Sequence, residues 1–180
     1  ARLFGGEKVY TDYRQMLAET ALDGVIICVG PQAHAKLSVE VMRAGFHVYT
    51  EKPPAINAAD AKIMRDVSRQ TKKICMTAFK KRFAPAYQKA KAIVNSEGFG
   101  DPYLLSIDYA SGGYANSPDN PRQQFLLDFT IHIIDLCRFL FGEVESVVAH
   151  HLTHRSAVTA QTPCTYAVNL RYVSGALGVL

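Results

Sequence analysis

The 180-residue chain has no apolar run approaching the roughly 18–20 residues that a membrane-spanning helix needs. Its opening, A-R-L-F-G-G-E-K, does not read as a signal peptide. It has no internal repeat and no low-complexity tract, which argues against solenoid, fibrous and disordered architectures. It has no C-x-x-C pair: Cys28, Cys75, Cys137 and Cys164 are scattered through apolar surroundings. Free thiols in a reducing compartment follow, and with no leader in view a cytoplasmic location is expected. His150, His151 and His154 cluster, but no Cys, Asp or Glu beside them completes a ligand set, so no metal is expected. Nor is there a stripe of basic residues with interleaved aromatics. The net charge of +4 comes from 20 basic and 16 acidic side chains, and the dense basic runs are only Lys72-Lys73 and Lys80-Lys81-Arg82. Nucleic-acid and membrane partners are therefore not expected.

What remains is an ordinary globular composition, 48% hydrophobic and 20% charged, with length for one substantial core or two small ones. The chain begins with Ala and ends in G-A-L-G-V-L, an apolar run like an unfinished strand, so both ends are expected to be cut.

Thr11-Asp12 followed by Tyr13, Met16 and Leu17 predicts a capped helix to about Ala21. V-I-I-C-V after Gly24 predicts a strand buried on both faces. Leu37, Val41 and Ala44 give a helix closed by Gly45, and Phe46–Thr50 a second strand. A helix over about Asn57–Gln70 and a strand over Ile74–Phe79 complete the first half. Strands alternating with helices indicate right-handed βαβ units and a parallel sheet with helices on both sides, half of a doubly wound fold. Ligands bind such sheets at the carboxyl ends of the strands. That edge would carry Gly30-Pro31-Gln32, Glu51-Lys52-Pro53-Pro54 and Lys80-Lys81-Arg82.

After Phe83 the pattern changes. A helix over about Pro85–Asn95 and a strand over Tyr103–Tyr109 precede a loop rich in Gly, Ser, Asn and Pro, 111–122, and then a very apolar helix. Three strand-like stretches follow, Glu145–His154, Cys164–Tyr172 and Ala176–Leu180. The fold class expected is α/β: a partial Rossmann domain over 1–80, then an α+β domain over 81–180 with a predominantly antiparallel open sheet.

The apolar helix contains L-L-D-F-T-I-H-I-I-D-L, residues 126–136, with three polar side chains in its middle. At roughly 100° per residue Asp128, His132 and Asp135 fall within about 60° of one another. A carboxylate in a dry core costs several kcal/mol unless it is paired, so this stripe must face partners or a cavity. Asp128 and His132, at i and i+4, form either a buried structural hydrogen bond or a histidine oriented for proton transfer. Asp135 reads as a structural partner. Lys52, on a backbone stiffened by two prolines, suits a placed charge, although by position alone it is an exposed lysine at a strand end. His34, in the first turn of a helix at the binding edge, taken alone is a surface or capping histidine, beside a helix terminus that favours an anionic group.

Together, G-P-Q-A-H, A-G-F-H-V-Y-T-E-K-P, F-K-K-R-F-A-P-A-Y and D-F-T-I-H-I-I-D, in this order and spacing, resemble the glucose-fructose oxidoreductase / inositol dehydrogenase / rhizopine-catabolism (Gfo/Idh/MocA) family over most of the chain. The resemblance implies a Rossmann domain binding NAD or NADP. It implies a second domain whose open sheet mediates homo-oligomerisation to a dimer or tetramer. Hydride would pass between a sugar or cyclitol carbon and the nicotinamide. Lys52, Asp128 and His132 would be catalytic: His132 the acid/base, Asp128 its orienting partner, Lys52 the holder of the substrate hydroxyl. Pro31, His34, Glu51, Lys52, Pro53 and Arg82 would border the cofactor, and Lys52, Lys81, Asp128 and His132 the substrate.

The chain departs from the family in two respects. The G-x-G-x-x-G turn that cradles the pyrophosphate would precede Ala1, so the chain as it stands is expected not to bind the dinucleotide normally. Thr130 stands where relatives often have Gly, and R-Q-Q-F where they often have a glycine-rich run. The alternative function is a non-catalytic sugar- or nucleotide-sensing regulator on the same fold. Loss of Lys52, Asp128 or His132 would have indicated it, and all three are present.

Overall fold

The computed structural model describes residues 3, 5–6, 8–110, 126–153 and 164–180. The chain divides into two compact units, Ala1–Ala78 and Phe79–Leu180.

In unit 1, Asp12 caps helix α1 (Tyr13–Glu19) by accepting from the Arg14 N–H. Strand β1 (Gly24–Ile27) leads through Gly30 into α2 (Pro31–Arg43), with Pro31 at the helix start, where its missing N–H costs nothing. Gly45, at φ +97°, turns the chain out of α2 into β2 (His47–Thr50). Asn57 caps α3 (Ala58–Thr71) by accepting from the Asp60 N–H. Lys72 closes α3 in the left-handed region and leads to β3 (Cys75–Thr77). The strands form a parallel sheet in the order β1-β2-β3.

One face of this sheet carries the core: Ile27 and Val48 pack against Val41 and Met42 of α2 and Val67 of α3, with Leu17 of α1 at the margin. The expectation of burial on both faces fails here. Ile26, Tyr49 and Met76 form one row across the three strands and are 75%, 39% and 38% exposed. Every helix packed on this cluster lies on the other face, and a continuous apolar run does not record which side its cover comes from.

Unit 2 opens with a 3-10 turn (Lys80–Phe83), helix α4 (Pro85–Val94) and β4 (Leu104–Ser106). A π-helical turn (Leu126–Thr130) runs into α5 (Ile131–Phe141), followed by β5 (Val144–Thr153), β6 (Cys164–Tyr172) and β7 (Leu177–Val179). The sheet order is β4-β7-β6-β5. The β5–β6 and β6–β7 pairings are antiparallel, as expected, but β4 lies parallel to β7, which short turns between neighbours could not reveal. Ile133 and Cys137 of α5 pack on Tyr172 and Ala176, with Leu105, Phe141 and Leu170 around them. The apolar helix α5 is not buried all round: Ile134 is 47% exposed. Along β5, Val147, Val148 and Leu152 are about 60% exposed, so this edge strand shows apolar side chains on both faces. The predicted loop over 111–122 lies outside the described residues.

Candidate functional site

At the carboxyl edge of unit 1, backbone hydrogen bonds fix the ends of the strands. The Glu51 N–H donates to Ile27 O at 2.9 Å and the Ala78 N–H to Thr50 O at 2.9 Å. The Glu51 carboxylate turns back to accept from the Lys52 N–H at 2.8 Å. The Lys52–Pro53 peptide is cis, and Pro53 is fully buried. Lys52 itself is half-buried.

His34 is only 1% exposed, not the surface residue its position alone suggested. Its Nδ1 lies 2.7 Å from Pro53 O and its Nε2 3.0 Å from Val29 O. Whichever nitrogen carries the proton donates to its carbonyl. The ring therefore sits between the segments that follow β1 and β2, from the first turn of α2. His34→Ala is expected to destabilise unit 1 by about 2 kcal/mol, through a lost hydrogen bond and a cavity. Urea denaturation followed by circular dichroism checks this, and a midpoint equal to the parent's would show that the imidazole ties nothing together.

The start of α2 lacks any side-chain cap, and Val29, Gly30 and Gln32 beside it are exposed. Pro31 brings no N–H and the Ala33 N–H donates to Gly30 O at 3.0 Å, so what this edge offers a dinucleotide is the positive end of a 13-residue helix at the carboxyl side of a parallel sheet, which fits its phosphates.

In unit 2, Asp128 lies in the π-helical turn and His132 in the first turn of α5, and both are half-buried. The π-helical turn, which no residue signal announced, begins the helix with a wider loop of backbone, and such turns recur at functional sites. Thr130, at the junction, has a buried hydroxyl with no partner among the described residues.

The 3-10 turn presents Lys81 and Arg82. The Lys81 ammonium donates to the Tyr87 hydroxyl at 3.5 Å and lies 5.3 Å from that ring's centroid. Arg82 grips Asp135: its Nε donates to Oδ1 and Oδ2 at 3.0 and 2.8 Å, and its Nη2 to Oδ1 at 2.6 Å. This bonding raises the pKa of Arg82 above its ordinary value. The guanidinium also lies 5.5 Å from the Phe139 centroid, and Gln88 donates to the Arg82 carbonyl. Asp135 thus has the partner its burial demands. Sequence reasoning marked its need for one but could not find Arg82, 53 residues away, or pair Tyr87 with Lys81. Among the described residues, no group of His, Cys, Asp or Glu is placed to hold a metal, and no helix is long and apolar enough to cross a membrane.

Comparison with known proteins agrees with this arrangement. Residues 1–79 match the model of an oxidoreductase family with an NAD-binding Rossmann fold, and residues 87–180 match the GFO/IDH/MocA C-terminal domain. A myo-inositol 2-dehydrogenase of Thermotoga maritima is 32% identical over 186 residues, covering 98% of this chain and 54% of that protein. The crystal structure of a probable dehydrogenase from Thermotoga maritima superposes with a TM-score of 0.80 at 30% identity, covering 99% of this chain and 55% of that one. The WlbA dehydrogenase of Bordetella pertussis, in complex with NADH and UDP-GlcNAcA, gives a TM-score of 0.77 at 25% identity over 94% of this chain and 54% of that one. The chain spans about half the length of these relatives.

Proposed function

Since the chain belongs to the Gfo/Idh/MocA oxidoreductase family, we propose that the protein is a dehydrogenase that uses NAD or NADP to interconvert a hydroxyl and a carbonyl on a sugar, sugar derivative or cyclitol. The observation that carries the proposal is the polar head of α5: Asp128 and His132, half-buried at the start of an otherwise apolar helix, with Asp135 on the same stripe already engaged. The relatives' names, one for a cyclitol and one structure holding a nucleotide sugar, support that substrate class.

The dinucleotide, when bound, supplies the hydride acceptor or donor. Pro31, Glu51 and Lys52 would border it beside the start of α2, with His34 and Pro53, both fully buried, holding that edge from behind. His132 takes the proton of the substrate hydroxyl during oxidation and returns it during reduction. Asp128 orients the imidazole and favours its protonated form. Lys52 places an ammonium on the substrate oxygen, where it polarises the carbonyl as it forms, and Lys81 contacts the substrate. Arg82, with three hydrogen bonds to Asp135, is assigned to α5 rather than to the cofactor. The exposed Val147, Val148 and Leu152 support assembly into a homo-oligomer through the unit 2 sheet. The free thiols of Cys28, Cys75 and Cys137 support a cytoplasmic location.

The test is a titration of the protein, expressed from its complete reading frame, with NADH and with NADPH, followed by nicotinamide fluorescence. Turnover is then measured on myo-inositol, scyllo-inositol and common aldoses with the preferred oxidised cofactor. Binding of one cofactor with turnover of a panel member is the expected result. Binding without turnover of any wider sugar panel would favour a sensing role, and failure to bind either cofactor would overturn the proposal.

A further inference from the structure

Arg82 comes from a four-residue 3-10 turn and Asp135 from α5, yet three hydrogen bonds join them. Asp135 stands three residues after His132 in the same helix, a spacing at which side chains are neighbours, about 5–6 Å apart at Cβ. Its carboxylate, 5% exposed, is therefore an electrostatic neighbour of the imidazole. Uncompensated, it would add to Asp128 in favouring the imidazolium and would hold a general base in its protonated form. With the guanidinium on it, the charge is cancelled. A plain fold pin would not require ions here, because apolar side chains of similar volume hold buried elements together equally well.

We propose that Arg82 and Asp135 are a positioning pair for His132: the pair ties the Lys80–Phe83 turn to α5 and cancels the Asp135 charge, leaving Asp128 as the carboxylate that sets the state of the imidazole. The proposal rests on the acid/base role of His132. Of the other charged groups on elements packed against α5, Lys80 of the 3-10 turn and Lys89 of α4 are exposed, and Arg171 of β6 pairs with Glu145 of β5 at 3.1 Å. Lys91 of α4 donates to Leu140 O at 3.0 Å, Lys81 of the 3-10 turn to the Tyr87 hydroxyl, and Arg138, toward the far end of α5, to Glu143. Tyr172 of β6 and Cys137 of α5 are held protonated by burial, which raises the pKa of both.

The test is a pH titration of the His132 ring by NMR in the protein expressed from its complete reading frame, with its signal identified by its loss in His132→Ala. Arg82→Gln strands the Asp135 charge, so the His132 midpoint should rise by about half a pH unit or more. Asp135→Asn strands the Arg82 charge, so the midpoint should fall by a similar amount, while Arg82→Lys should restore the parent value to within about 0.2 unit. Opposite displacements cannot come from general loosening. Midpoints that stay put, or move the same way in both variants, would reduce the pair to a structural tie. If Arg82→Gln does not fold, Asp135→Asn decides alone, because its side chain still accepts a hydrogen bond. Turnover of His132→Ala separates the two layers: undiminished turnover overturns the acid/base role and the pair with it, whereas lost turnover with unmoved midpoints overturns the pair only.

Discussion

Alanine in place of His132 is expected to lower turnover about a hundredfold or more, while the dissociation constant for NADH or NADPH stays within about twofold of the parent's. A hundredfold corresponds to about 3 kcal/mol of transition-state stabilisation, the ordinary contribution of a positioned acid/base. The expectation of a split between turnover and binding comes from where the residue stands. His132 lies in the first turn of α5 in unit 2, whereas the open start of α2 and the Glu51-Lys52-Pro53 segment belong to unit 1. A group that handles the proton alone should leave cofactor affinity untouched. Steady-state kinetics on the substrate found in the panel, paired with fluorescence titration of each cofactor, reads both quantities. Turnover within about tenfold of the parent would remove His132 from proton transfer, and a matching loss of cofactor affinity would recast it as a binding residue.

The largest expected effect on stability is at Tyr172. Its side chain is fully buried beneath α5, with its ring centroid 5.4 Å from that of Phe141. Tyr172→Ala should cost about 3–5 kcal/mol, the usual loss when a buried aromatic ring leaves a cavity. The hydroxyl tells a different story. It is buried with no hydrogen-bond partner among the described residues, and the Cys137 thiol is the polar group that acts on it. Burial and that thiol push the phenol far above its ordinary pKa, so it carries no charge near neutral pH. Tyr172→Phe should therefore be within about 1 kcal/mol of the parent or more stable, since it removes a desolvated polar atom and keeps the ring. Urea denaturation of the parent and both variants checks the contrast. A Phe variant as unstable as the Ala variant would mean that the hydroxyl, not the ring, holds α5 to the sheet.

Much of the architecture was legible because its signals are local. Asp12 and Asn57 cap the helices their side chains announce, and Gly45 ends α2 with the positive φ that glycine tolerates. The predicted strand Cys164–Tyr172 coincides with β6. What escaped depends on partners distant in sequence. Ile26 looks the same in a run of apolar letters whether its face of the sheet is covered or open. His34 looks like a surface residue until the carbonyls of Val29 and Pro53 enclose it. The stripe of Asp128, His132 and Asp135 could be read from helical periodicity, and the need of Asp135 for a cation from the cost of burying it. The identity of that cation could not be read, because nothing in K-K-R-F favours Arg82 over its neighbours. The π-helical turn at Leu126–Thr130 is a further case: its residues are compatible with an ordinary α-helix, and only the backbone shows otherwise.

The parallel pairing of β4 with β7 also governs the order of events at the ribosome. The three strands of unit 1 lie between residues 24 and 77, so their sheet can assemble as soon as that stretch has emerged. In unit 2, Leu104 pairs with Leu177, a separation of 177 − 104 = 73 residues. Among the described residues β4 pairs with β7 alone, so until β7 emerges that pairing cannot form, and Leu105 and Ile107 lack the full cluster they pack against. Closing so long a loop before its contacts form slows folding. Unit 1 should therefore be folded while unit 2 still exposes apolar residues, which makes the growing second half the part of the nascent chain that chaperones engage.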